Sequence, residues 1–283
     1  MRRSSPVIIA VAITLGLVIA AAGIFPWSIL AQFNVRLWPR IPWCVPVGLV
    51  WLSLFWAYLN GRGWPSSTAQ KRKQLLRARP VHGPATTWAC IAGATGLISL
   101  VTLYFVAIQF VNLPPDAFRP RSVTAVSLGL IVPVMMMSAV VAGVAEEAAY
   151  RGYMQGMFER HFNPAIAVAL VTIVFTGLHL LGGLQLLPLA IPVGATSVVL
   201  GALTAITRSI IPAILVHILA DTATLPFEWG LFGRLPVGRF HTSGIDMLFV
   251  AAVVLVIVAS IAMVAAFARL RQIMRARSSS PSV

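Results

Sequence analysis

The sequence predicts an all-α polytopic integral membrane protein with about eight transmembrane helices. Of its 283 residues, 59% are hydrophobic and only 10% are charged, and its mean hydropathy is +0.90. A soluble domain of this composition would expose large apolar patches to water. Acidic residues are scarce, and none precedes position 116. This is typical of membrane proteins, because ionisable side chains are costly in hydrocarbon.

Eight apolar stretches have close to the ~20 residues that a spanning helix needs. They are residues 6–31, 42–60, 88–112, 122–145, 164–182, 185–206, 209–227 and 245–268. The first follows a basic N-terminus, residues 1–3, and contains three alanines at 20–22 that resemble a signal-peptide cleavage site. Its apolar run continues to Ala31, which is longer than the apolar part of a signal peptide, so a retained first helix is favoured.

The basic residues predict the orientation and the regions of the chain. With the N-terminus in the cytoplasm, most of the 21 lysines and arginines fall on the cytoplasmic side, so both termini are predicted there. Residues 1–115 hold the first helices and a basic cytoplasmic loop, 61–87, which is predicted as an orientation signal and a surface for anionic lipid. Residues 116–230 form a core with intramembrane polar groups, and 231–283 hold the last helix and a basic tail.

The net charge of +14 does not indicate nucleic acid as a partner, because the basic residues sit in short loops between apolar runs. The lipid bilayer is the partner that this pattern indicates. The arginine-rich and alanine-rich composition favours a bacterial plasma membrane.

Ionisable residues within the apolar stretches mark the candidate site, because they persist in a membrane only when they are paired or functional. They are Glu146, Glu147, Arg151, His179, His217 and Asp221. Glu147 and Arg151 are four residues apart, so a helix places them on one face as an ion pair. That pair is predicted to be structural. Glu146 lies about 100° around the helix and remains available for chemistry.

Two further motifs bring histidines to helix faces. Phe175 and His179 are four residues apart in FTGLH, and His217 and Asp221 are four apart in HILAD. A turn before Pro164 would join antiparallel helices that hold Glu146 and His179 at the same depth, roughly 24 Å from the turn. Two imidazoles and a carboxylate are enough to hold a divalent metal, for which zinc is the natural candidate. A second carboxylate can then take a proton from a bound water. Together these groups are what the hydrolysis of an amide bond needs.

The three motifs, EEAAYR, FTGLH and HILAD, resemble those of the CAAX-processing and bacteriocin-processing (CPBP) intramembrane protease family, which includes the Ras-converting endopeptidase. The family pattern is E-E-x-x-x-R, then F-x-x-x-H, then H-x-x-x-N or a close variant. The resemblance covers about residues 120–225 and implies an eight-helix membrane fold and a metal-dependent endopeptidase. Its substrate would be a peptide or a membrane protein.

The resemblance also implies a role for each motif residue. Glu146 would activate the attacking water, and Glu147 would pair with Arg151. His179 and His217 would bind the metal or orient the water, and Phe175 would pack beside His179. Asp221 departs from the family's asparagine. An ionised aspartate cannot donate to an oxyanion, so it would ligate the metal with the two histidines or set the tautomer of His217.

Three alternatives remain open from the sequence. The polar residues could be a network that holds helices together. The chain could be a non-catalytic membrane partner, of the immunity type, that binds or protects another protein. It could also be a transporter with Glu146 and Asp221 in a proton relay, although no internal repeat is found.

Overall fold

The computed structural model describes residues 5–113, 126–231 and 236–279. These ranges contain α-helices, short 3₁₀ turns and one π-helical segment, and no β-strand, which confirms the predicted all-α class. The α-helices are α1 (Ser5–Leu37), α2 (Cys44–Leu59), α3 (Ala69–Leu76), α4 (Pro84–Ala107), α5 (Leu128–Glu146), α6 (Gln155–Phe158), α7 (Pro164–His179), α8 (Ala190–Thr207), α9 (Ile211–Glu228), α10 (Arg239–Ser243) and α11 (Met247–Ser279). The π-helical segment, Glu147–Met154, joins α5 to α6.

Each of the eight predicted apolar stretches contains a helix. Within the described residues, 6 helical spans are long and apolar enough to cross a membrane. They are Pro6–Leu37, Pro84–Phe110, Leu128–Phe158, Leu184–Thr207, Ile211–Glu228 and Met247–Arg277. Two shorter apolar helices, α2 and α7, have 16 residues each. The polytopic class is confirmed, and the number of eight crossings stays a prediction.

The outward faces of the helices identify an integral membrane protein. On α11, Val254, Ile257, Ile261 and Val264 are each more than half exposed. A row of aliphatic side chains along one long helix is unfavourable in water and favourable in lipid.

Several predictions fall outside the described residues. They concern the basic residues 1–3, the boundary at 115–116, the start of the fourth stretch at 122–125 and the end of the tail.

The chain forms two compact units. Unit 1 contains Met1–Ala78, Phe118–Asn163 and His217–Gly233, and unit 2 contains Arg79–Ala117, Pro164–Val216 and Arg234–Val283.

In unit 1, α1 packs closely against the helix that carries the EEAAYR motif. A Cβ atom on Gly23 would lie 2.4 Å from Cβ of Ala145, and one on Gly16 would lie 2.5 Å from Cε of Met154. Gly23 therefore permits an approach that a larger residue would block, because Cβ of Ala145 cannot turn away, whereas the flexible end of Met154 can shift beside Gly16. Farther along α1, Nε1 of Trp27 donates to the hydroxyl of Ser138 at 3.0 Å. These contacts fix the position of α5 at the point where Glu146 begins the motif.

Two arginines of the basic loop 61–87 are bonded within unit 1. Arg72, on α3, is buried, and its guanidinium donates to the backbone carbonyls of residues 58, 62, 63 and 65 and to the hydroxyl of Thr68. Arg77, just after α3, pairs with Glu159 at 2.5 Å and donates to the backbone carbonyl of Arg151. The loop that is predicted to orient the chain thus also bonds, through Arg77, to the helical segment that carries EEAAYR.

Unit 2 is built around α4, α8, α11 and the first turns of α9. Its buried core consists of Ala85, Ala89, Leu200, Leu203, Ala213, Val216 and Leu270. The hydroxyls of Ser99 and Ser260 lie 2.7 Å apart between α4 and α11, and Thr172 donates to Ser197 at 3.1 Å between α7 and α8. Hydroxyl bonds of this kind join helices where no water is available.

Candidate active site

Glu147 is the centre of a buried polar group in unit 1. Its Oε1 accepts hydrogen bonds from Nη1 of Arg151 at 2.9 Å and from Nδ1 of His217 at 2.8 Å. Glu147 and Arg151 are both 0% exposed, and His217 is 7% exposed. The predicted ion pair is therefore present, and its carboxylate also holds a histidine from α9, 70 positions later in the chain.

The bond to Glu147 determines which face of the imidazole is available. A carboxylate can only accept, so Nδ1 of His217 carries the hydrogen. The other ring nitrogen, Nε2, lies 3.9 Å from Oε2 of Glu146 and 3.7 Å from Oδ2 of Asp221. Both separations are longer than a direct hydrogen bond. The acidic side chains of Glu146 and Asp221 thus lie beside the same ring nitrogen.

The two adjacent glutamates have different surroundings. Glu146 keeps 16% of its side chain exposed, whereas none of the Glu147 side chain is exposed. Glu146 also lines a cavity of about 340 Å³ in unit 1. The other lining residues are Ile24, Trp27, Ser28, Ala31, Gln32, Val35, Val134, Ser138, Val141, Ala142 and Trp229. Glu146 is consequently accessible to a ligand in this cavity, and Glu147 is not.

Three acidic side chains and one arginine are gathered in this group. Glu146, Glu147 and Asp221 are the acids, and Arg151 is the permanently charged base that pairs with Glu147. This pairing offsets the cost of burying the Glu147 carboxylate.

The motif departs from an α-helix directly after Glu146. Residues Glu147–Met154 are π-helical, and all eight are buried. π-Helical turns are rare and often occur at functional sites. The sequence analysis assumed an α-helix here and missed this segment. Gly152 allows it to lie against α3, because a Cβ there would be 3.3 Å from the backbone oxygen of Leu76.

The FTGLH motif lies at the end of α7 in unit 2. The rings of Phe175 and His179 stack with centroids 4.3 Å apart, as the four-residue spacing predicts. Nδ1 of His179 lies 2.8 Å from the backbone oxygen of Phe175. Since a carbonyl only accepts, Nδ1 carries the hydrogen and Nε2 is left as the acceptor. The side chain of His179 is exposed.

The structure describes the predicted site residues in two separate groups. Glu146, Glu147, Arg151, His217 and Asp221 belong to unit 1, and His179 belongs to unit 2. The predicted turn is present, since α6 ends at Phe158 and α7 begins at Pro164. That Glu146 and His179 lie at the same depth stays a prediction.

A metal site does not follow from the described geometry. Across residues 5–113, 126–231 and 236–279, no group of three or more His, Cys, Asp or Glu side chains is arranged to hold a metal ion. The residues thus do not fit a metal as they stand. Zinc at His179, His217 and Asp221 stays a prediction.

Sequence analysis missed two contributions to this site. The bond between His217 and Glu147 joins distant segments, and no spacing rule indicates it. The cavity beside Glu146 is lined largely by α1, in a region where no motif was found. The glycines at 16 and 23 were an available signal, because small residues in membrane helices mark close helix contacts.

The sequence was compared with known protein families, curated proteins and solved structures. Residues 128–223 match a family described as type II CAAX prenyl endopeptidase Rce1-like. All three motifs lie within the matched residues. The match supports the CAAX protease family for this segment. No curated protein and no solved structure matches the chain.

The CAAX-protease segment extends from the start of α5 into α9. It contains Glu146, His179 and His217, and it leaves α1 to α4 outside. The match confirms the resemblance of the motifs to CAAX-processing proteases. Because that family consists of proteases, it supports a hydrolase embedded in the bilayer that acts on a peptide or protein.

Proposed function

We propose that this protein is an intramembrane endopeptidase in which Glu146 activates water for attack on a peptide bond. The observation that carries the proposal is the different setting of two adjacent carboxylates. Glu147 is buried and bonded to Arg151 and His217, whereas Glu146 is partly exposed on a cavity and faces Nε2 of His217. One acid positions the histidine, and the other is free to take a proton.

The reaction needs one water and one peptide bond. Glu146 accepts a proton from the water, and the water oxygen attacks the carbonyl carbon. The proton then passes to the amide nitrogen as the carbon–nitrogen bond breaks, leaving a carboxylic acid and an amine, and the Glu146 carboxylate is regenerated. Nε2 of His217 orients the water, and the bond from Nδ1 to Glu147 holds the ring in place. Asp221, which lies beside the same nitrogen, accepts a hydrogen bond from the water.

Zinc dependence is a separate proposal, and no step above uses a metal. It is supported by the position of Glu146 and Asp221 beside Nε2 of His217, because carboxylates and imidazoles are ligands that zinc takes. His217 and Asp221 would bind the ion with His179, as the motifs predict.

The finer aspects of location are also proposals. The distribution of lysines and arginines supports a bacterial plasma membrane protein with both termini in the cytoplasm. The substrate would be a peptide or a segment of a membrane protein that reaches the Glu146 cavity. The largely apolar lining favours an apolar side chain next to the cleaved bond.

The decisive experiment compares membrane proteins and released peptides from cells with the wild type, Glu146→Gln or Glu146→Ala. Both variants keep the Glu147–Arg151–His217 group, so we expect normal folded yield. We expect cleavage to fall by about 10²–10⁴-fold, as for loss of a general base. An uncleaved protein should accumulate and co-purify with the Glu146→Gln variant.

Two outcomes would contradict the proposal. One is that Glu146→Gln keeps more than about a tenth of the cleavage, against the usual cost of losing a general base. The other is that the wild type and both variants show the same membrane proteins and the same released peptides. That outcome would favour a non-catalytic partner.

A further inference from the structure

Unit 2 contains a groove that the proposed chemistry does not use. It has a volume of about 850 Å³ and lies among α7, α8 and the C-terminal part of α11. Its apolar wall consists of Pro164, Ala165, Val168, Ala169, Val198, Ala202, Ala205, Ile206 and Met274. Four arginines complete the lining: Arg208, Arg271, Arg275 and Arg277. Among the residues that the structure describes, no acidic side chain lines this groove.

The arginines gather where two long helices end. Arg208 follows the last residue of α8 with a left-handed backbone (φ 55°), which terminates that helix. The other three are in the last turns of α11, where the apolar sequence becomes basic. Arg277 lies against the turn before α4, since a Cβ on Gly83 would be 2.7 Å from its Nη2. All four arginine side chains are exposed.

A groove with an apolar wall and four arginines favours a ligand that is both anionic and amphiphilic. Guanidinium groups bind phosphate oxygens through paired hydrogen bonds. A small soluble anion would leave the apolar wall in contact with water, and a neutral lipid would place no net negative charge beside Arg208 and Arg271. A molecule with an acyl chain and a phosphate satisfies both parts of the groove.

A second groove, in unit 1, lacks this charge arrangement. It has a volume of about 630 Å³ and is lined by apolar side chains with Lys71 and Arg72. The Arg72 guanidinium is buried and donates to backbone carbonyls. Apolar grooves therefore occur in both units, but the four exposed arginines belong to the one in unit 2.

We propose that the groove in unit 2 binds an anionic phospholipid. An acyl chain lies along Val168, Ala202 and Ala205, and the phosphate lies between Arg208 and Arg271. None of the residues that line this groove is assigned to hydrolysis.

The test is lipid binding to the full-length protein purified in detergent, measured by native mass spectrometry during titration with phosphatidylglycerol or phosphatidylcholine. The variant Arg208→Gln/Arg271→Gln should bind phosphatidylglycerol about 25-fold more weakly, at about fivefold per arginine. Phosphatidylcholine should bind weakly and equally to both proteins. The matched control, Lys73→Gln/Arg269→Gln, removes two exposed charges that do not line the groove and should behave as the wild type.

A second variant tests the apolar wall with all arginines kept. Ala169→Phe fills the groove at an exposed position, and Ala265→Phe adds the same ring to an exposed position of α11 outside it. We expect Ala169→Phe alone to weaken phosphatidylglycerol binding. The comparison of Ala169→Phe with Ala265→Phe remains decisive if the variant Arg208→Gln/Arg271→Gln does not fold.

Three results would overturn the proposal. The first is equal binding of phosphatidylglycerol and phosphatidylcholine by the wild type. The second is an equal loss of binding in the groove variants and their controls. The third is displacement of the lipid by millimolar glycerol phosphate, which would identify a site for a soluble anion.

Discussion

At the scale of single residues, Glu147 has more partners than its helix spacing predicts. One of its oxygens accepts from both Arg151 and His217, so the same carboxylate neutralises a buried cation and fixes the tautomer of a histidine. A histidine held in this way presents Nε2 in one orientation, as in metal and catalytic sites where a carboxylate supports the ring. In the proposed reaction, the buried pair thus supports His217 in addition to stabilising the fold.

The pair can be tested by charge removal. Glu147→Gln or Arg151→Met alone strands a buried charge, which typically costs about 3–5 kcal/mol, so each should lower the folded yield in membranes. The variant Glu147→Gln/Arg151→Met should recover much of that yield, measured by monodisperse protein after extraction. Its cleavage activity should remain about 10–100-fold low, because a neutral amide supports His217 less well. A double variant that folds no better than the worse single would count against the pair.

Asp221 gives a second test at this scale. If its negative charge helps to hold a cation beside His217, Asp221→Asn should lower metal affinity about 10–100-fold. Elemental analysis of the purified wild type and variant measures this directly, and a peptide-cleavage assay follows the consequence. Unchanged metal content with equal or faster turnover would show that Asp221 only replaces the family's asparagine.

At the scale of elements, α1 holds the motif helix by close contact. Gly23 packs on Ala145, the residue directly before Glu146, and Trp27 of the same helix lines the cavity beside that acid. The contact depends on the missing side chain, because packed helices cannot absorb an extra group without moving. The first helix is thus part of the site, although its sequence carries no chemical motif.

Gly23→Leu should therefore disturb both folding and catalysis. We expect a loss of about 1–3 kcal/mol in stability, as for an overpacked core, and a lower cleavage rate in the protein that folds. Ala10→Leu is the matched control, because Ala10 is exposed on the same helix. Thermal unfolding in detergent and the cleavage assay measure the two effects. Equal behaviour of the two variants would contradict the assigned packing.

At the scale of the whole molecule, the apolar helices agree with the predicted stretches, and two of these helices are short. A helix of 16 residues is roughly 24 Å long, which is less than the ~30 Å of hydrocarbon in a typical bilayer. Both α2 and α7 have this length. Shorter spans are accommodated by local thinning of the bilayer, so length alone does not decide the matter.

Labelling of single cysteines tests whether α2 crosses the membrane. With Cys44→Ala and Cys90→Ala as background, single cysteines at Trp38 and Arg62 should react on opposite sides of the membrane. An impermeant maleimide added to intact cells and to inverted vesicles reports the side. Both positions are exposed, so each is accessible to the reagent. Labelling of both from one side would remove α2 from the count of spans and reduce the predicted eight.

The sequence by itself determined the helical membrane class, the Glu147–Arg151 pair, the stacking of Phe175 on His179 and the family of residues 128–223. These follow from composition and from spacings within one helix, where the helical repeat dictates which side chains meet. The tertiary structure decided that Glu147 binds His217, that α1 lines the Glu146 cavity, and that Glu146 keeps exposure that Glu147 lacks. Such contacts join distant segments through close packing, and no local repeat encodes them.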